Sequence, residues 1–189
     1  MVATGLINDI AYGQLSMGKT KTAALGQILF LALALIVPMV THRLGLNFLV
    51  AQPMHWMILF AALAYGPMSG AILGISVPIA SFLATGMPLP GMLPFMLPEL
   101  VVYGLVAGLL KGKVTAFGSV AIALIAGRLV FLALSAATGP LTLPPLLGGQ
   151  EVSVFEFVRA TWGPGVFAVA LQIALLPVLT GLYVNWAMD

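Results

Sequence analysis

The stretch Val114-Thr115-Ala116-Phe117-Gly118-Ser119-Val120-Ala121-Ile122-Ala123-Leu124-Ile125-Ala126-Gly127-Arg128-Leu129-Val130-Phe131-Leu132-Ala133-Leu134-Ser135-Ala136-Ala137-Thr138 decides the fold. A bilayer core needs about 20 apolar residues of α-helix to cross it, and this run supplies them with one interruption. The interruption is Arg128. A charge at that depth costs a few kcal/mol or more, so it faces a polar partner or a ligand inside a bundle. Arg128 is where a functional reading starts.

The pattern recurs along the rest of the chain. Of its 189 residues, 61% are hydrophobic and 6% charged, with a mean hydropathy of +1.15. These values lie far outside soluble-domain averages and define an all-α integral membrane bundle. At about 20 residues per span, there is room for roughly six helices and none for a nucleotide-hydrolysing domain. The net charge of +2 comes from seven basic and five acidic residues without a run of like sign, so the lipid bilayer is an expected partner and nucleic acid is not. The absence of cysteine excludes disulfides, thiol catalysis and thiolate metal sites.

Working outward, the first span covers Ala23 to Val40 behind Lys19 and Lys21, with no convincing small-residue cleavage site after it. Residues 1–22 form an N-terminal cytoplasmic segment and residues 23–187 the membrane domain. A second span begins between Leu46 and Pro53 and ends at Tyr65. Gly66-Pro67 turns into a third span that reaches Thr85. The stretch 85–98 holds Pro88, Pro90, Pro94 and Pro98, which remove backbone donors and predict a Met-rich loop. Span four runs from Pro98 to Leu110, Lys111-Gly112-Lys113 turns, and span five is the opening stretch. After a Gly/Pro-rich loop at 139–149 and a short mixed segment, Glu151 to Arg159, the sixth span fits within Thr161 to Trp186.

Orientation follows from lysine and arginine in the short loops. Lys19, Lys21, Lys111 and Lys113 fall on one side, Arg43 and Arg159 on the other, which places both termini in the cytoplasm. The three longer loops then face outward.

At about 1.5 Å per residue, Arg128 lies roughly 21 Å above the inner turn, in the outer half of the membrane. Glu99 sits at the outer mouth of span four, and Tyr103 is one turn deeper on the same face. Ser135 shares the face of Arg128, with Phe131 between them. Gln172 lies roughly 16 Å inside span six, below Trp162 at its outer start. These seven residues are expected to line an outward-opening cavity between spans four, five and six. The plainer reading is a Glu99–Arg128 pair that ties two helices together, with Gln172 bonding between helices and Trp162 anchoring at the interface. Gly66, Gly70 and Gly74 in span three, and Gly104 and Gly108 in span four, form flat stripes for close packing.

No HExxH, GxSxG or phosphate-binding glycine loop occurs, so no enzyme and no cofactor are expected. His42 and His55 are the only histidines, and no metal site is expected of them.

Taken as a whole, the chain resembles the substrate-binding S components of energy-coupling factor (ECF) vitamin transporters. The resemblance runs from Lys19 to Trp186. It rests on the six spans, the Gly66-Pro67-Met68-Ser69-Gly70 turn, the Pro-rich third loop, and Pro98-Glu99-Leu100-Val101-Val102-Tyr103-Gly104 leading to Gly108. It implies high-affinity uptake of a small vitamin or precursor across a bacterial plasma membrane. The implied partners are a membrane-embedded coupling protein and two ATPase subunits. Carried over, the pocket uses Glu99, Tyr103, Arg128, Trp162 and Gln172, with Asn47, Gln52 and His55 from the first loop and second helix. The family's coupling contact is often Ala-x-x-x-Ala on the first helix, and the nearest spacing here is Thr22-x-x-x-Gly26. Nickel and cobalt relatives begin Met-His, whereas this chain begins Met1-Val2, against a metal substrate.

A buried Arg128 favours a carboxylate, as in pantothenate, biotin or lipoate, because guanidinium binds it through paired hydrogen bonds. An ionised Glu99 free of Arg128 points instead to thiamine, pyridoxine, riboflavin or a deazapurine. The rival class is a six-span scaffold of the cell-shape complex type, which shares such a fold without carrying a solute.

Overall fold

The computed structural model describes residues 19–43, 52–86, 88, 90–138 and 150–188. The elements are α1 (Lys19–Arg43), α2 (Pro53–Tyr65), α3 (Pro67–Thr85), α4 (Leu93–Leu110), α5 (Ala116–Ala137), the short α6 (Val154–Trp162), a 3-10 turn (Gly163–Gly165) and α7 (Val166–Met188). There is no strand among the described residues.

Prolines set several helix starts. Pro53 and Pro67 open α2 and α3, where the missing N–H has no intrahelical acceptor to lose. Between them Gly66 adopts φ 99°, a backbone region closed to most side chains, so α2 and α3 reverse through a single residue.

The four-proline stretch departs from the loop expected at 85–98. Helix α4 begins at Leu93, about a turn before Pro98. Pro94 falls in the first turn, where N–H groups are unpaired anyway, and Pro98 removes one bond near the helix end. The mixed segment around Glu156 is also helical. Its start is a capping box, in which the Ser153 hydroxyl accepts from the Glu156 N–H at 3.3 Å and Glu156 Oε2 accepts from the Ser153 N–H at 3.0 Å.

The glycine stripes bring backbones into contact. A Cβ on Gly70 of α3 would lie 2.6 Å from the Gly104 Cα of α4, and one on Gly74 would lie 2.7 Å from the Leu100 carbonyl oxygen. On the other flank of α4, a Cβ on Gly127 of α5 would lie 2.8 Å from the Glu99 carbonyl oxygen. Helix α4 is thus clamped between α3 and α5, as small residues allow in lipid, where dispersion and not water exclusion drives packing. Ile58, Leu59, Leu73, Val77, Leu100, Val120 and Leu176 fill the interior.

Apolar residues cover the outside as well, including Ile72, Ile75 and Leu83 of α3 and Ile122, Ile125 and Leu129 of α5. A helix hydrophobic all round suits lipid. By length and composition, α3, α4, α5 and the stretch Phe155–Asn185 can each cross a membrane, and Leu25–Val37 and Pro53–Tyr65 are shorter apolar helices.

The two ends of the bundle differ. At one, here the lysine end, Gly26 of α1, Tyr65 of α2, Lys111 and Tyr183 of α7 meet. At the other, the loop end, the start of α2 meets the 3-10 turn before α7, and α6 lies over the junction of α4 and α5.

Candidate functional site

The site is built on α4. Glu99 and Tyr103 share a face one turn apart, and the Tyr103 hydroxyl donates to Glu99 Oε1 at 2.5 Å. Arg128 Nη1 of α5 lies 3.1 Å from the same oxygen. The close approach at Gly127, one residue earlier, is what seats the Tyr103 ring and lets this pair form. Glu99 is almost fully enclosed, with a side-chain exposure of 3% against 15% for Arg128. The cation is the partner that remains reachable.

The start of α2 adds a second polar group. Gln52 holds a left-handed conformation at φ 45°, uncommon for a non-glycine residue and costing about 1 kcal/mol or more. Its carbonyl accepts from the His55 backbone N–H at 3.1 Å, while its side-chain amide presses against Gly165 ahead of α7. The His55 ring stands 5.2 Å, centroid to centroid, from that of Tyr103. His55, Tyr103, Glu99 and Arg128 therefore form one continuous chain of contacts.

Several buried polar atoms have no hydrogen-bond partner among the described residues. They are Gln52 Oε1, both ring nitrogens of His55, Trp162 Nε1 and both amide atoms of Gln172. Gln172 is wholly buried and faces inward with Ala168 and Leu176 of α7. Thr180 Oγ1, two turns further along α7, is also unpartnered. Native interiors leave few such groups, because each forfeits about 1–3 kcal/mol of hydration.

An apolar roof completes the loop end. The Phe131 ring, one turn from Arg128, stacks on Phe157 of α6 at 6.0 Å and meets Phe95 of α4 edge-on at 6.2 Å. Met92, Met96 and Leu132 pack around them. Ser135 is buried one turn beyond Phe131, and its backbone carbonyl accepts from the Thr138 hydroxyl at 2.9 Å.

The structure thus brings Glu99, Tyr103, Arg128 and His55 into contact, with Gln52 joined through the backbone, and sets Phe131 beside Arg128. Asn47 lies outside the described residues. Of the two residues read as a docking pair, Gly26 is packed against the Tyr65 hydroxyl, and the side chain of Thr22 is outside the described residues. Sequence reasoning missed Phe95, Phe157, Gly127 and Gly165. The glycine directly before Arg128 was a readable signal, whereas Phe157 had none beyond an amphipathic segment. No cluster of three metal-binding side chains occurs among the described residues.

Two opposite charges in contact leave the centre neutral and both ions partnered. What is unmet among the described residues is hydrogen-bonding capacity at Gln52, His55, Trp162 and Gln172. Small-molecule sites in general combine a mostly apolar lining with a few polar groups.

The family profile described as "ECF transporter, substrate-specific component" matches residues 28–185. No curated protein and no solved structure matches the chain.

Proposed function

Because this chain belongs to the substrate-specific components of ECF transporters, we propose that it captures a small, partly apolar vitamin or cofactor precursor carrying a carboxylate. Pantothenate, biotin and lipoate have that form. The ligand occupies the loop end, with its anionic group at Arg128 and its apolar body against Phe131 and Met96. Both termini and the lysine end face the cytoplasm, in keeping with the excess of lysine there. The partners in transport are a coupling membrane protein and two ATPases.

The observation that carries this reading is the set of buried polar atoms, unpartnered among the described residues, at Gln52, His55, Trp162 and Gln172, of which His55 is joined to the Arg128–Glu99 pair through Tyr103. A closed structural pair would need no such neighbours. Guanidinium has five N–H donors, more than Glu99 Oε1 accepts, and a carboxylate can take two of them in parallel. The contact between Glu99 and Arg128 weighs against thiamine, pyridoxine, riboflavin or a deazapurine, the reading that needed Glu99 free of Arg128. The family match gives no support to a non-transporting scaffold.

Arg128→Leu tests the reading, combined with Glu99→Gln so that no lone charge is left buried. The double variant is expected to purify as a monodisperse membrane protein and to lose all binding by isothermal titration. Undiminished affinity removes Arg128 from the site.

A further inference from the structure

The unpartnered atoms say more about the ligand than its charge. Gln172 offers an N–H donor and a carbonyl acceptor, and a neutral imidazole at His55 offers one of each. Trp162 adds a donor and Gln52 an acceptor. Donors and acceptors are evenly mixed. A carboxylate accepts only and an ammonium donates only, so neither satisfies this set.

Their placement follows the starts of α2 and α7. His55 is three residues inside α2 from Gln52, roughly 4.5 Å deeper, and Gln172 is seven residues beyond Gly165, roughly 10 Å deeper. Gln52 and Gly165 are in contact, so α2 and α7 start at one level. The two helices run side by side from there, with His55 facing Tyr103 and Gln172 facing the interior. Gln52, His55 and Gln172 are each more than nine-tenths buried. These polar groups connect to Arg128 through His55, Tyr103 and Glu99, and Phe131 lies one turn from Arg128 toward the loop end.

From this we infer that the ligand is bifunctional: a carboxylate joined through an apolar segment to a neutral group with adjacent N–H and C=O, such as an amide, lactam or ureido group. The inference rests on the proposed function and narrows it. Among the three acids named above, pantothenate carries an amide and biotin a ureido ring, whereas lipoate carries neither.

Two measurements test it. In the first, thermal shift and titration calorimetry are run on the purified protein with pantothenate, biotin and lipoate, and repeated on Gln172→Leu. Pantothenate or biotin is expected to bind and lipoate not, with affinity falling about tenfold or more in Gln172→Leu. Binding of lipoate alone, or unchanged affinity in the variant, overturns the bifunctional ligand while leaving a carboxylate site in place. No response to any of the three overturns the carboxylate reading and this inference together. The second measurement needs no ligand. Replacing an unpartnered buried amide by leucine removes an unmet cost, so ligand-free Gln172→Leu is expected to melt about 2–4 °C higher than the wild type. A lower melting temperature means that Gln172 holds the bundle together, and overturns its assignment to a ligand.

Discussion

The lysine end and the loop end both draw on α2 and α7, yet they differ in how they treat their polar side chains. At the lysine end the groups find each other. Gln27 Nε2 donates to Ser69 Oγ at 2.6 Å, Lys111 Nζ donates to the Ala64 carbonyl at 3.0 Å, and the Tyr65 and Tyr183 hydroxyls are bonded. At the loop end Gln52, His55, Trp162 and Gln172 hold buried atoms with no partner among the described residues. Chains under selection for stability alone satisfy or delete such groups, because each bond adds about 1 kcal/mol and each orphan costs more. The difference is between an end that meets its polar groups internally and one that leaves several open among the described residues. Thr180 is the exception, an unpartnered hydroxyl nearer the lysine end.

The largest expected effect breaks both ends at once. Gly70→Val puts a Cβ 2.6 Å from the Gly104 Cα, and no rotamer moves a Cβ, whose position the backbone fixes. A loss of about 3 kcal/mol or more is expected, read as a protein that fails to give a monodisperse peak in detergent. Normal folding would mean that α3 and α4 are not in backbone contact.

A smaller change separates the ends. Tyr183→Phe strands the Tyr65 hydroxyl and is expected to lower stability by about 1 kcal/mol in thermal melts, with ligand affinity unchanged. That is the opposite sign to Gln172→Leu in stability, and the opposite outcome in binding. Should both variants shift the melt in the same direction, the contrast between the ends fails.

The smallest effect is a pH dependence at Lys111, which burial holds below the usual lysine range near 10.5. The folded state therefore binds this proton less tightly than the unfolded chain. Stability contributed through Lys111 is largest above its unfolded value and falls as pH drops through the lower folded one. Relative to Lys111→Met, the wild type is expected to gain slightly in melting temperature as pH rises toward 10.5. No difference in slope between the two would show Lys111 to be solvated in both states.

Much of the fold was legible because lipid imposes one rule on every span. Long apolar runs must be helical, so the ends of α2, α3 and α5 fell within a few residues of their expected positions. Prolines misled at α4, where Pro94 and Pro98 read as loop but occur in the first turns of a helix. The contact between Glu99 and Arg128 followed from the scarcity of buried charge, which leaves few possible partners. The stack of Phe131 on Phe157 did not, because any of several aromatic residues could have met there.

By itself the sequence determined the class and the approximate extent of α2, α3 and α5, since hydropathy acts locally and needs no knowledge of neighbours. Tertiary structure alone decided which buried polar atoms are paired and which are left open. Pairing depends on the rotation and crossing of helices, and here those are set by backbone contact at Gly70, Gly104 and Gly127. A one-dimensional pattern places a glutamine in a membrane; only packing decides whether it has company.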